Sequence, residues 1–190
     1  ISSTNKFTLV EELGRGGMGI IIRGRDKVLH RDVALKVIRD PSDELQRERF
    51  IKEAQVTGQL EHPNIVPVHE FGIDQNGRIF FAMKLVRGRT LAEIIHGHRK
   101  NDASTMAEYP LTRLVAILIQ VCHAVAFAHS RGVIHRDLKP SNIMLGDFGE
   151  VMLMDWGLAK VGVVDVPDPA GLDDPTPTTA NRPTVHKLDE

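Results

Sequence analysis

Between residues 7 and 38 the chain alternates apolar and polar side chains in three short runs, FTLVEEL, IIIRGRD and DVALKVI, with the glycines of GRGGMG between the first two. Period-two alternation places successive side chains on opposite faces of a pleated strand, and connections this short suit antiparallel neighbours. A small antiparallel sheet is therefore predicted. The stretch SDELQRERFIKEAQVTGQL predicts a helix over 42–60: Ser42 or Asp43 can cap it, and Leu45, Phe50, Ala54 and Val56 roughly follow helical spacing. HPN at 62–64 stops that helix. Two more strands follow, IVPVHEFGI and RIFFAMKLV, about the turn DQNG.

The pattern then changes. TLAEIIHGH (90–98) reads as a short helix, 99–109 as a polar loop, and LTRLVAILIQVCHAVAFAHSRG (111–132) as a long helix ended by Gly132. Short strands are expected around IML and VMLMD. From Val161 onward the periodicity disappears; the stretch is rich in Pro, Asp and Thr, carries six acidic residues against two basic ones, and is expected to be mobile. The organisation predicted is α+β: a strand-rich lobe with one main helix (1–86), the first part of a mainly helical lobe (87–160), and a tail segment (161–190). A cleft between the lobes is the natural place for a ligand of nucleotide size.

With 190 residues, 42% of them hydrophobic and 26% charged, and a net charge of −1, the chain gives no reason to expect nucleic acid or an anionic membrane as its main partner. Its single cysteine, Cys122, excludes an internal disulfide framework and fits a reducing, cytoplasmic setting. Lying in an apolar helical pattern, Cys122 is predicted to be a small core residue. The opening ISSTNKF has neither the basic start nor the cleavage site of a signal peptide, and its lack of Met reads as a piece of a longer protein. The apolar run 114–129 carries a Gln and His residues and is short for a bilayer span, so a buried core helix is expected.

Three stretches carry chemistry. Gly14, Gly16 and Gly19 form G-x-G-x-x-G, but the following run continues as a strand, so a glycine-rich hairpin fits better than a dinucleotide-binding strand-to-helix turn. Without side chains, backbone N–H groups can approach a phosphate closely. Lys36, in the apolar VALK, wants an anion, because an unpaired ammonium there is costly. A phosphate supplies one. Glu53 on the 42–60 helix is the best protein partner, ahead of Glu44 and Glu48. In HRDLKPSN, Asp137 can orient or deprotonate an attacking hydroxyl, and Lys139 can steady a transferring phosphoryl group. Asn142, and Asp155 of DWG, offer the hard oxygen ligands that Mg²⁺ prefers. Phosphoryl transfer asks mainly for positioning and charge neutralisation, which this set provides.

LGRGGMG, VALK, FIKEAQVTGQLEHPNIV, MKLVRGRTL, VIHRDLKPSNIML and DWGLAK, in that order over residues 7–160, resemble the eukaryotic-type (Hanks-type) serine/threonine protein kinases, most closely their bacterial branch. The resemblance implies a kinase N-lobe at 1–86, a partial C-lobe at 87–160 and part of an activation segment at 161–190. It implies ATP and Mg²⁺ as cofactors, and a protein serine or threonine as acceptor. Lys36 would pair with Glu53 and contact the α/β-phosphates; Asp137 would be the catalytic base; Asn142 and Asp155 would hold magnesium. Met83 would guard the adenine site, the backbone of Lys84 and Val86 would hold adenine, and Ile21, Ala34 and Met144 would sandwich its ring. Arg136 resembles an arginine that meets a phosphorylated activation loop, for which Thr176, Thr178, Thr179 and Thr184 are candidates.

Two departures stand out. Trp156 occupies a position that is usually Phe, so altered packing with retained metal binding is expected. No APE segment or later helix follows, so the expected reading is a partial domain that would leave one face of the 111–132 helix uncovered and would transfer phosphate poorly on its own. The competing readings are a nucleotide-binding scaffold without catalysis, which the full set of five polar residues argues against for the whole protein while leaving it open for this piece, and a small-molecule phosphotransferase, which the wording of HRDLKPSN disfavours. The two histidines of HGH (96–98) lack nearby partners for a metal.

Overall fold

The computed structural model describes residues 6–162. Five strands form one antiparallel sheet: β1 (Phe7–Arg15), β2 (Gly19–Asp26), β3 (Arg31–Ile38), β4 (Val68–Ile73) and β5 (Ile79–Lys84), in the order β1-β2-β3-β5-β4. Alternation along β3 sorts its side chains. Val33, Leu35 and Val37 join Phe80 and Ala82 on one face, while Ala34 and Ile38 join Phe50, Phe81 and Met83 on the other. Lys36 belongs by parity to the second face. Against that face lies α1 (Glu44–Gln59), capped by Asp43, whose carboxylate accepts from Gln46 N at 3.1 Å. Its buried residues Phe50, Glu53, Ala54 and Thr57 recur at helical spacing. Leu45, counted with the apolar side from sequence, is 56% exposed, because it stands in the first turn before the helix reaches the sheet.

The second lobe begins with β6 (Gly88–Thr90), α2 (Leu91–Arg99), α3 (Ala103–Glu108) and α4 (Leu111–Ser130). Thr90 and Glu93 close a reciprocal capping box on α2. The stretch 99–109, predicted as a loop, contains α3: Asp102 caps it by accepting from Thr105 N at 2.9 Å, and the buried Thr105 anchors it. Polarity outside the core misled the sequence reading; the cap was the usable signal. After α4 come β7 (Val133–Ile134), a single 3₁₀ turn at Pro140–Asn142, β8 (Ile143–Gly146), β9 (Val151–Leu153) and β10 (Lys160–Val161). β6, β7 and β10 are two or three residues long and escaped prediction, since so short a run shows no period. Val161, placed in the patternless tail, pairs with Val133. Residues 163–190, with the four candidate threonines, lie outside the described residues.

α4 buries only Ile117, Val121, Ala124 and Ala128, a single stripe packed with Ile94, Tyr109, Ile143, Leu153 and Trp156. The helix expected to be a core helix is thus buried along one stripe. Leu111, Val115, Leu118 and Ile119 are exposed on the other side, as the sequence predicted for one face. Cys122 is exposed too, not a core residue: it follows Val121 by one position, about 100° around the helix and off the buried stripe. By length and composition α4 would also suit a membrane span, yet this inner stripe is packed against protein.

The lobes are stitched by backbone. Asn64 O accepts from Leu153 N at 2.8 Å, and Val66 N donates to Leu153 O at 3.2 Å, so the chain leaving α1 lies along β9. Gly88 holds the other crossing. Its φ is 144°, and a Cβ there would stand 1.9 Å from Leu145 O. Gly88→Ala is expected to peel β6 from β8 and to cost about 3 kcal/mol or more, read as a lowered unfolding midpoint.

Candidate active site

Between the lobes lies a half-enclosed cleft of about 220 Å³, and Gly16, Gly19, Ile21, Lys36, Glu53, Met83, Asn142, Met144 and Asp155 all line it. Residues up to 139 positions apart in sequence thus meet at one place. The upper wall follows from sheet register. Ile21 pairs with Lys36, Lys36 with Phe81, and Ala34 with Met83, which sets these side chains in rows across three strands. Ala34 stands on this same face, 4% exposed, without lining the cleft. Gly14 belongs to β1, paired with Ile21, and does not line the cleft. The hairpin loop of residues 16–18 is closed by Gly16 N donating to Gly19 O at 2.9 Å. Of the three motif glycines, Gly19 is the one that sterics require: a Cβ would approach Val37 O to 2.8 Å.

At the floor of the upper lobe Lys36 Nζ meets Glu53 Oε1 at 2.5 Å and Asp155 Oδ1 at 3.7 Å. Glu53 is the partner the sequence reading preferred. The Lys36 and Glu53 side chains are only 12% and 3% exposed, so this pair is shielded from water and salt, whereas Asp155 at 46% faces the opening. Burial pushes the Glu53 carboxyl above its ordinary range, against the downward pull of the Lys36 charge and hydrogen bond. Its second oxygen, Oε2, is buried without a hydrogen-bond partner among the described residues.

The lower wall is the segment between β7 and β8. Asn142 Nδ2 donates to Asp137 O at 2.9 Å and to Asp137 Oδ2 at 3.1 Å. Lys139 Nζ donates to the same carboxylate oxygen at 2.7 Å. Asp137 and Lys139 thus stand beside the cleft and are joined to it through Asn142. The Lys139 hydrogen bond holds the Asp137 carboxyl below the usual carboxylate range, and the same bond raises Lys139. With its side-chain nitrogen engaged and its backbone carbonyl accepting from Met154 N at 2.9 Å, Asn142 has its side-chain Oδ1 as the atom that could hold a cation.

His135 supports this segment, a role its place in the motif did not reveal. It is buried at 3% exposure; its Nε2 donates to Met154 O at 3.0 Å, and its Nδ1 accepts from Asp137 N at 3.2 Å. That pairing fits the neutral ring, and burial lowers its pKa accordingly. Its ring lies 4.5 Å from that of Trp156, which is 1% exposed and packed in the lower core. The Trp at this position therefore fills the core as an aromatic should. Arg136 and Asp155 both have left-handed backbones, with φ of 63° and 61°, and Arg136 Nε donates to Leu158 O at 2.7 Å.

At the far end of β5, Lys84 N donates to Pro67 O at 3.1 Å. Neither Lys84 nor Val86 is among the lining residues. Thr57, Val66, Phe81 and Met154 line the cleft without having been predicted. Phe81 was foreseeable, since strand pairing sets it beside Lys36; the others depend on how the lobes close. His98 of the HGH pair has its Nε2 donating to Tyr109 O at 2.9 Å.

A glycine-rich hairpin, a buried lysine–glutamate pair and a loop carrying Asp137 and Asn142 surround one cleft, an arrangement of the protein-kinase type. Comparison with known proteins agrees: the sequence model of the protein kinase domain matches residues 7–168. The serine/threonine-protein kinase PknD of Protochlamydia amoebophila is 40% identical over 162 residues, covering 81% of this chain and 16% of that protein. The PknD proteins of Chlamydia caviae and Chlamydia muridarum are 38% and 40% identical over 159 residues, each covering 81% of this chain and 17% of theirs. The chain belongs to the protein kinase domain family, and these bacterial relatives carry it as serine/threonine kinases. It spans about a sixth of the length of the relatives it matches.

Proposed function

We propose that this chain carries the nucleotide site and catalytic loop of an ATP-dependent protein serine/threonine kinase. Residues 1–86 act as the upper lobe, 87–160 as the start of the lower lobe, and 161–190 as part of an activation segment. The observation that carries the reading is the meeting of Lys36, Glu53 and Asp155 on one side of the cleft with Asn142 and Asp137 on the other. The cytoplasm, where ATP is abundant, is the matching location.

Adenine would lie between Ile21 and Ala34 above and Met144 below, beside Met83, with the Lys84 carbonyl and Val86 backbone as its polar contacts. Lys36, held by Glu53, would reach the α/β-phosphates, and the hairpin amides around Gly14, Gly16 and Gly19 would cover them. The fixed charges at the site are two positive (Lys36, Lys139) and three negative (Glu53, Asp137, Asp155), a poor match for a polyphosphate unless cations join it. The donor set fits that need: one neutral oxygen from Asn142 and one half-exposed carboxylate from Asp155, few and hard, as Mg²⁺ with phosphate and water ligands prefers. Magnesium, when bound, supplies neutralisation of the phosphate charge.

Asp137, kept ionised by Lys139, would accept the hydrogen bond of an incoming serine or threonine hydroxyl and align its oxygen with the γ-phosphorus. A low-pKa carboxylate is a weak base, so it orients first and takes the proton as the oxygen–phosphorus bond forms and the bridging bond to the β-phosphate breaks. Lys139 lies where it can steady the transferring group. A scaffold without catalysis would have no use for the Asp137–Lys139–Asn142 bonding, so the catalytic reading is preferred.

Calorimetric titration tests it. ATP is expected to bind in the presence of Mg²⁺, and Asp155→Asn is expected to weaken this by about tenfold while leaving any metal-free binding unchanged. A folded chain that binds no ATP with or without Mg²⁺ would sink the reading.

A further inference from the structure

The glycine-rich hairpin and the Asp155–Gly157 turn touch at one point that the catalytic reading does not use. A Cβ built on Gly157 would stand 2.6 Å from Met18 Cε, 3.0 Å from Glu53 Oε2 and 3.3 Å from Asp155 Oδ1. Met18 is the last residue of the three-residue hairpin loop, and its carbonyl accepts from Arg39 N at 3.2 Å. The root of the side chain is thereby pinned beyond the end of β3, while its unbranched arm crosses to the turn. Its methyl group and Glu53 Oε2, which is buried and unpartnered among the described residues, both border the space beside Gly157. A thioether suits such a place: it is soft, apolar and free to rotate, so it holds by dispersion and lets go at little cost.

We infer that Met18 is a positioning residue, a latch that fastens the glycine-rich hairpin to the Gly157 backbone and thereby sets how fast nucleotide enters and leaves the cleft. The inference rests on the reading of the cleft as a nucleotide site. It also explains the glycine at 157 here, because any β-carbon would take the space that Met18 fills. Released, the hairpin keeps its anchorage in β1 and β2, so the latch governs exchange rather than folding.

Release of a fluorescent N-methylanthraniloyl-ATP from the Mg²⁺ complex, followed by stopped flow, tests the latch. Met18→Ala is expected to speed release about tenfold, and Met18→Leu, which restores an apolar arm of similar length, to return it to within about twofold of the unaltered chain. Gly157→Ala is expected to speed release in the Met18 background and to add less than about twofold on top of Met18→Ala, because both changes break one contact. Unchanged release in Met18→Ala, or effects of the two substitutions that simply multiply, would overturn the latch. A second readout needs no nucleotide. Trp156, the chain's one tryptophan, is 1% exposed and adjoins Gly157. Acrylamide quenching of its emission is expected to rise in Met18→Ala and not in Met18→Leu. If the unaltered chain binds no nucleotide, the nucleotide reading fails, and the quenching comparison alone decides the latch: equal quenching in all three proteins would refute it.

Discussion

Lys36→Met is expected to abolish tight Mg²⁺-ATP binding and, separately, to make the protein's stability fall with rising pH. The first effect follows from removing the cation at the inner end of the cleft, and a loss of about a hundredfold in affinity matches truncation of one partner of a buried charge pair. The second follows from Glu53. With Lys36 gone, its carboxylate stays buried without a counter-charge, a situation that costs about 3–5 kcal/mol. The sign can be worked out. Burial already raises the Glu53 carboxyl above its ordinary value of 4.5, so the folded state holds more protons than the unfolded state, and stability declines as pH rises from that value through the folded one. Lys36 pulls the other way, by charge and by hydrogen bond. Removing it lifts the folded value further, so the decline becomes steeper and reaches to higher pH. Thermal unfolding at pH 5 and pH 8 checks this. Lys36→Met/Glu53→Gln is expected to regain part of the stability and lose the added pH dependence, while still binding no ATP. A double variant as pH-dependent as the single one would show that another group titrates.

Asp137→Asn is expected to lower the phosphoryl-transfer rate about a thousandfold with little change in ATP affinity. Asn keeps the shape and can still meet Lys139 and Asn142, so the loop stays in place, but its amide has no negative charge to align a hydroxyl and cannot take the proton. Transfer of labelled γ-phosphate to the protein itself or to a peptide library measures the rate, and calorimetry measures the affinity. In the unaltered protein this carboxyl lies below its ordinary 3.8, held there by Lys139, so its ionised form is lost only as pH falls through that lowered value. Activity is therefore expected to be flat with respect to Asp137 across neutral pH. A Lys139→Met variant is expected to shift the acid limb upward. An Asp137→Asn variant that transfers phosphate as fast as the unaltered protein would remove Asp137 from the chemistry.

Lys36 and Glu53 meet from two elements 17 residues apart, whereas Asp137 meets Lys139 and Asn142 within five residues of itself. The alternation in FTLVEEL, IIIRGRD and DVALKVI was enough to predict the sheet, because pleat parity depends only on neighbours two residues apart. Parity also puts Lys36 on the same face as Ala34 and Ile38, and helical spacing puts Glu53 beside Ala54. Their pairing is thus nearly readable from residue order alone. Residue type named Asn142 and Asp155 as hard oxygen donors for the same local reason. The failures are of the opposite kind. Cys122 and Leu45 are apolar in apolar patterns, yet which stripe of a helix is buried depends on what is packed against it, and both fell outside. β7 and β10 exist because Val133 and Val161 meet, not because either dipeptide favours a strand. His135 gained its role from Met154 and Trp156, and Met18 touches Gly157 across 139 residues of chain. The sequence alone determined the longer elements, the chemical types at the site and the family, since these are properties of local pattern and residue identity. Which side chains are dry, which carboxylate is raised or lowered, and which loop rests on which turn were decided only by the tertiary structure, because burial and charge proximity arise where distant segments close on one another.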